Sequence, residues 1–255
     1  MGSKVSKKSV FIDQKLDQSF HAIDKIQAEY RMVDSITADI NIVKDANGLA
    51  LRWLKQQSEY LVIRIDVDKF IRQQHSYPAA KQGAFNQALG KKSKVIIDAT
   101  AGWGTDSLIM CSQGYDVCMI ERNPIMALLL EDAMLRLSQT EWAKKYNVSI
   151  PNVVIADAND VLDSEKIPAD CIYLDPMFPA KRKKSAMANK KMQFLQWLLE
   201  SQFDADSCLQ SALNADYHRI AVKRPNYADP LMSSTLSPSV QFSSKMIHYD
   251  VYLNH

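Results

Sequence analysis

Lys94-Val95-Ile96-Ile97-Asp98-Ala99-Thr100-Ala101-Gly102-Trp103-Gly104-Thr105-Asp106 is the stretch that decides the fold. Lys94 to Ile97 reads as a short buried strand, and the apolar pattern Leu108-Ile109-Met110 beyond the glycines reads as a helix. Strand, glycine turn and helix together open a Rossmann-like unit. Gly102 and Gly104 permit a tight turn and a close approach of backbone to ligand. Their spacing supplies the first two glycines of the dinucleotide fingerprint, but Ser107 stands where the third belongs. Asp106 also puts an anion at the helix N-terminus, where a pyrophosphate would sit. A nicotinamide dinucleotide is disfavoured on both counts. Asp98 and Asp106 suit instead a ligand with positive groups, such as the ammonium and sulfonium of S-adenosylmethionine.

The segments that follow agree. Tyr115 to Ile120 is an apolar run ending in Glu121, a little over twenty residues past Asp98, where a Rossmann-like unit places the acid that holds a ribose diol. Asn123-Pro124 starts a helix as N-cap and first-turn proline, and its apolar stripe runs to Leu137. A third strand, Asn152 to Ile155, ends in Ala156-Asp157-Ala158-Asn159, whose polar groups suit an adenine edge. The plainer readings are a surface pair of Glu121 with Arg122 and a simple loop acid at Asp157. Acids at successive strand ends favour a site.

Tyr173-Leu174-Asp175-Pro176-Met177-Phe178-Pro179 ends a further apolar strand in a carboxylate, a rigid turn and an aromatic ring. Asp175 and a carbonyl of the turn can accept hydrogen bonds from an exocyclic amine, and Phe178 offers a face to a flat base. Asp-Pro at a strand end is also ordinary turn chemistry. Lys181, Arg182, Lys183, Lys184, Lys190 and Lys191 follow, six cations with no acid between Ala180 and Met192, a composition that suits phosphates. Lys223 and Arg224 close another strand and are candidates to hold the same backbone. The bland alternative for all of these is a solvated face. An amine grip beside a phosphate grip points to a nucleobase in a polynucleotide.

The segments Asp98 to Asp106, Met119-Ile120-Glu121-Arg122-Asn123-Pro124, Tyr173 to Pro179, Val222-Lys223-Arg224-Pro225-Asn226-Tyr227-Ala228-Asp229-Pro230-Leu231 and His248-Tyr249-Asp250-Val251-Tyr252 resemble the ribosomal RNA small subunit methyltransferase J family. The resemblance covers about Pro78 to Tyr252. It implies a class I methyltransferase that transfers a methyl group from S-adenosylmethionine to a guanine N2 amine of small-subunit ribosomal RNA. Thr105, Asp106, Glu121, Arg122 and Asp175 match the family's cofactor-binding positions, with Ala158 and Asn159 near a further pair. Where family members carry a glycine-rich, arginine-containing stretch, this chain has Gln73-Gln74-His75-Ser76-Tyr77-Pro78-Ala79-Ala80-Lys81.

The architecture expected is therefore α/β: an open, mostly parallel sheet with helices on both faces over residues 76–255, preceded by a small α+β lobe over 1–75. In the lobe, Ser9 to Met32 reads as loosely helical. Asp39 to Val43 and Leu49 to Trp53 flank an Asn47-Gly48 hairpin signal, and Leu61 to Val67 reads as a third strand. Further strands are expected at Arg219 to Lys223, Val240 to Phe242 and Met246 to Leu253.

A chain of 255 residues, 47% hydrophobic, is long enough for one good core and an accessory lobe. With a net charge of only +2, attraction to nucleic acid has to come from local clusters. Cys111, Cys118, Cys171 and Cys208 form no C-x-x-C pair and sit in apolar runs, so reduced thiols and no zinc are expected. No signal peptide or membrane span is legible, which leads to the expectation of a cytoplasmic protein. Met1-Gly2-Ser3-Lys4-Val5-Ser6 satisfies a myristoylation pattern that is far more often fortuitous. Competing functions are amine methylation of another RNA, of DNA or of protein glutamine, and a catalytically inactive RNA-binding module.

Overall fold

The computed structural model describes residues 8–13, 16, 20–56, 59–74, 78–164, 168–178, 190–199, 204–232 and 235–254. Met1 to Ser6 and Lys181 to Lys184, with their lipidation and phosphate readings, lie outside the described residues.

The N-terminal part begins with β1 (Ser9–Ile12), α1 (Ala22–Glu29) and β2 (Arg31–Met32). It continues through β3 (Ile40–Asp45), β4 (Gly48–Gln56), β5 (Glu59–Ile63) and α2 (Val67–Arg72). The strands form one sheet in the order β2-β1-β3-β4-β5. The helical reading of Ser9 to Met32 holds at α1 and is corrected at both ends of the stretch, which are strands: β1 pairs in parallel with β3, and Asp39 holds Ser9 through both its amide (2.8 Å) and its hydroxyl (2.7 Å). Tertiary pairing overrides a weak helical period there. The hairpin forms where Asn47-Gly48 predicts it, with Gly48 at φ +92°.

The second part runs α3 (Gly83–Leu89), β6 (Val95–Asp98), α4 (Thr105–Ser112), β7 (Asp116–Ile120), α5 (Pro124–Gln139), α6 (Glu141–Tyr146) and β8 (Asn152–Val154). After these come α7 (Ala158–Ser164), β9 (Ala169–Leu174), α8 (Lys190–Leu199), α9 (Ala205–Asn214), β10 (Tyr217–Pro225), β11 (Val240–Ser243) and β12 (Ile247–Leu253). Its sheet has the order β11-β12-β10-β9-β6-β7-β8, parallel from β10 to β8 and antiparallel at β12 and β11. Successive residues of a strand face opposite sides. Ile96, Cys171, Tyr173 and Ala221 accordingly join one core, whereas Ile97, Ile172, Leu174, Ile220 and Val222 join a second beneath α7 and α9.

The first core is continuous with the N-terminal sheet. Val10, Ile40, Leu51 and Ile63 share it with Ile125, Leu128 and Leu129 of α5. That is why α5 is apolar almost all round: one face meets the large sheet and the other meets α1 and β4. Its N-terminus is capped as the sequence predicts, Asn123 Oδ1 accepting from Ile125 N (3.0 Å) and Met126 N (3.3 Å) with Pro124 behind it. Even the hairpin turn docks on it. A Cβ on Gly48 would run into the Arg136 side chain, and Asp132 Oδ2 accepts from Leu49 N at 3.1 Å. The cysteines are free, and burial pushes the thiols of Cys111, Cys171 and Cys208 up to about 12.

Candidate active site

Pairing of β6 with β9 brings the two motifs together, as expected of neighbouring first and fourth strands. Ala99 N donates to Tyr173 O (3.0 Å), Ala101 N to Ile120 O (3.2 Å) and Asp175 N to Thr100 Oγ1 (2.6 Å). The carboxyl ends of β6, β7, β9 and β10 thus open on one cleft of about 1040 Å³. This is where an open α/β sheet binds its ligands.

On the β6–β7 side, Gly104 caps α4 in the left-handed region at φ +67°. A Cβ there would also lie 2.6 Å from Leu130 Cδ2, so the turn requires glycine for both reasons. Ser107, which occupies the third glycine position of the dinucleotide pattern, is fully buried and donates to Asp98 Oδ2 at 2.5 Å. Asp98 Oδ1 accepts from Thr100 N at 3.2 Å. Burial raises this carboxyl to about 7, with Ser107 opposing and Asp106 adding to the rise. Asp98 is therefore a structural acid of the turn more than a free charge for a ligand, which corrects the electrostatic role given to it above.

Glu121 is buried and does not pair on the surface with Arg122. Its Oε2 accepts from Gly102 N (2.9 Å) and its Oε1 from Asn123 N (2.7 Å). Burial raises its pKa, with these amides opposing. A carboxylate has about four acceptor positions, so capacity for a diol is left. Arg122 Nη1 lies 3.9 Å from Asp157 Oδ2, and Asp157 Oδ1 accepts from Asn159 N at 2.9 Å. Asn159 Oδ1 is buried with no hydrogen-bond partner among the described residues, as an acceptor awaiting a ligand's N–H would be. The Glu121 carboxylate, the glycine backbone and this orphaned acceptor fit the nucleoside of S-adenosylmethionine.

On the β9–β10 side, Asp175 and Pro176 line the cleft with Met177, which is exposed, and Phe178, which packs on the second core. Lys223 Nζ lies 2.7 Å from Asp106 Oδ2 and 2.8 Å from Asp175 Oδ2. Tyr173, fully buried, donates its hydroxyl to the same oxygen of Asp106 at 2.5 Å. Burial raises the Asp175 pKa, Lys223 lowers it and Asp106 raises it. Burial alone would lower Lys223, but Asp106 and Asp175 outweigh it and raise its pKa.

Of the cofactor candidates, Asp98, Gly102, Thr105, Asp106, Glu121, Arg122, Ala158 and Asp175 line the cleft. Gly104, Asp157 and Asn159 are not among the lining residues but adjoin Thr105 and Ala158, which are. Two cation assignments are corrected. Arg224 reaches the cleft lining but is buried against Asp250, with Nε 2.5 Å from Oδ2, and Arg224 Nη1 donates to Ala228 O, which makes it a structural partner in place of the free cation expected. Lys223 sits between two acids inside the cleft. Lys190 opens α8, and Lys191 Nζ lies 4.9 Å from the centre of the Trp103 ring.

Sequence reasoning missed Trp103, Tyr173 and Tyr227 as cleft residues, and the wall supplied by Met192, Leu195 and Gln196 of α8. The apolar stripe of α8 was the available signal. It packs through Phe194 and Trp197 on Trp53 of β4, with ring centres 5.5 and 5.4 Å apart.

Sheet order, glycine turn and acidic strand ends define a Rossmann-like class I methyltransferase. The SAM-dependent methyltransferase family model matches residues 25–254. Proteins named ribosomal RNA small subunit methyltransferase J are 40% identical in Coxiella burnetii (66% of this chain, 65% of that one), 38% in Alteromonas mediterranea (78% of each) and 30% in Vibrio parahaemolyticus (91% and 92%). The chain belongs to the ribosomal RNA small subunit methyltransferase J family. The match to the Coxiella relative spans just under two thirds of that protein's length. A crystal structure of a SAM-dependent methyltransferase from Neisseria gonorrhoeae shares the fold, with a TM-score of 0.68, 23% identity and 96% of each chain covered.

Proposed function

We propose that this protein transfers a methyl group from S-adenosylmethionine to the exocyclic N2 amine of a guanine in small-subunit (16S) ribosomal RNA. The observation that carries the reading is Asp175: the β6–β9 pairing sets it, with Pro176 and Phe178, in the same cleft as Glu121 and the Gly102 turn. An amine acceptor beside a nucleoside site is what methylation of a base amine requires.

S-adenosylmethionine, when bound, supplies an electrophilic methyl group on a sulfonium. Glu121 and the Gly102 backbone would hold its ribose, Ala158 and Asn159 its adenine edge, and Thr105 and Asp106 its amino-acid end. Asp175, with a carbonyl of Pro176 or Met177, accepts hydrogen bonds from the base amine and lines up its delocalised lone pair. The nitrogen would gain positive charge as its bond to the methyl carbon forms and the carbon–sulfur bond breaks, leaving a neutral thioether, and the Asp175 carboxylate would stabilise that charge and accept the proton released. Phe178 holds the base plane. Lys181, Arg182, Lys183, Lys184, Lys190 and Lys191 lead in sequence onto α8, the cleft wall, which supports a phosphate-binding role for them. A paired target has to be flipped out, at a cost of a few kcal/mol that stacking and phosphate contacts offset.

The proposed partner is small-subunit ribosomal RNA, naked or in the assembled subunit, and the proposed compartment is the cytoplasm. Among the described residues no helix is long and apolar enough to cross a membrane.

Ribosomal RNA from cells lacking the gene, naked and as assembled subunits, is the substrate for the test, with mass spectrometric mapping of the methylated nucleotide. Asp175→Asn should slow single-turnover transfer by about 10² to 10³, and Asp175→Ala should remove nearly all of it, by analogy with loss of one preorganised electrostatic partner. Transfer by Asp175→Ala at the wild-type rate would place the amine elsewhere. Methylation of DNA or a glutamine peptide alone, or binding without transfer, would replace the substrate assignment.

A further inference from the structure

Lys223 is a charged group that bridges the two halves of the cleft. It stands one residue past Val222, which pairs with Leu174, so its backbone runs beside Asp175 at the ends of two parallel strands. Its ammonium has three N–H donors. One is directed to Asp106 on α4 and one to Asp175 just past the end of β9, and in both cases the acceptor is Oδ2. The Tyr173 hydroxyl fixes the same oxygen of Asp106 from the other side. The consequence for Asp175 is geometric. With Oδ2 tethered at 2.8 Å and its amide bonded to Thr100 Oγ1 at 2.6 Å, the carboxylate has one defined orientation, and Oδ1 is the oxygen left for a ligand.

We propose that Lys223 is a positioning residue for methyl transfer: it anchors Asp175 through Oδ2, keeps that carboxylate ionised in a partly buried site, and reserves Oδ1 for the acceptor amine. The inference rests on the function proposed above and assigns to Lys223 a role in the chemistry in place of phosphate binding. Without the ammonium, Asp175 faces Asp106 from α4, Asp98 from β6, the neighbouring Tyr173 and Tyr249 from β12, groups that bring no compensating positive charge. Two carboxylates so placed compete for ionisation, and one takes up a proton. A protonated Asp175 is a poorer hydrogen-bond acceptor and cannot take the proton that the amine releases.

The test compares wild type with Lys223→Met, Lys223→Gln and Lys223→Arg in single-turnover methyl transfer to ribosomal RNA across pH, beside carbon-13 NMR titration of the Asp175 carboxyl. Lys223→Met and Lys223→Gln should be about 10- to 100-fold slower at neutral pH, with the acid limb of the rate profile moved upward by a pH unit or more. Lys223→Arg should restore most of the rate and return the limb toward wild type, an outcome that general destabilisation does not produce. Thermal melting shows which variants are folded at the assay temperature, and the Gln and Arg variants carry the comparison if Met does not survive. An unchanged acid limb together with an unchanged Asp175 titration overturns the proposal. If wild type transfers no methyl group to any ribosomal RNA, the proposed function fails by itself, and the Asp175 titration still decides the role of Lys223.

Discussion

Ser107 and Asp98 show how one side chain changes the meaning of a glycine pattern. Where a dinucleotide fold has a third glycine for close helix packing, this chain has a buried hydroxyl that donates to a buried acid. The acid orders the turn through Thr100 N and remains largely protonated up to about pH 7 because burial disfavours its charge. A carboxyl whose folded-state pKa is raised contributes stability that is complete below its unfolded value, here 3.8, and lost as pH climbs through about 7. Asp98→Asn, which cannot ionise, should therefore gain stability relative to wild type between about pH 4 and pH 7 and level off above. Chemical denaturation of both proteins at a series of pH values checks this, and a constant difference across the window would show that Asp98 titrates normally.

At the scale of elements, strand pairing explains why Arg224 belongs to the fold. β10 and β12 run antiparallel with Val222 opposite Asp250 and Arg224 opposite His248, which sets the guanidinium diagonal to a fully buried carboxylate. Arg224 Nη2 donates to the other oxygen of Asp250 at 3.2 Å, and Gln241 of β11 donates to that same oxygen at 2.7 Å. Removing one partner of such a pair leaves an uncompensated buried charge, typically at a cost of about 3–5 kcal/mol. Arg224→Ala should lose about that much stability in denaturant titration, whereas a solvated or phosphate-binding arginine would change it by less than about 0.5 kcal/mol. The turn from Pro225 to Ala228 should loosen with it, because Arg224 Nη1 also holds Ala228 O. Faster amide exchange in that turn is the local readout.

For the whole molecule, the question is whether residues 1–75 form a unit of their own. We propose that they are a lobe by topology, with a separate sheet, and part of the same cooperative unit by energetics. Val10, Ile23, Ile40 and Leu51 share one core with α5, and α8 carries the contact on to the cleft through Phe194, whose ring centre lies 6.2 Å from that of Trp103. Calorimetry should give a single unfolding transition whose van't Hoff and calorimetric enthalpies agree. Two resolved transitions would make the lobe an independent domain. A segment 76–255 produced alone should expose the outer face of α5 and bind a hydrophobic dye, since Ile125, Leu128 and Leu129 would lose their cover.

The sequence by itself determined the features that depend on neighbours along the chain: the strand–glycine–helix unit at Asp98 to Asp106, the Asn123-Pro124 helix start, the Asn47-Gly48 hairpin and the acids at the strand ends. Local period, turn chemistry and capping act over a few residues, so those residues suffice to reveal them. Tertiary structure alone decided which polar groups are available for chemistry. Lys223 and Arg224 are adjacent cations in sequence, yet one bridges Asp106 and Asp175 across the cleft and the other is locked to the buried Asp250. Successive strand residues point to opposite faces, and only the strand order says what lies on each face. The same holds for Ser9 to Ile12, where a parallel partner thirty residues away outweighs a weak helical pattern, and for α8, whose place in the cleft wall is set by Trp53 of a distant strand. Burial and charge pairing are properties of such distant neighbours, and no spacing along the chain encodes them.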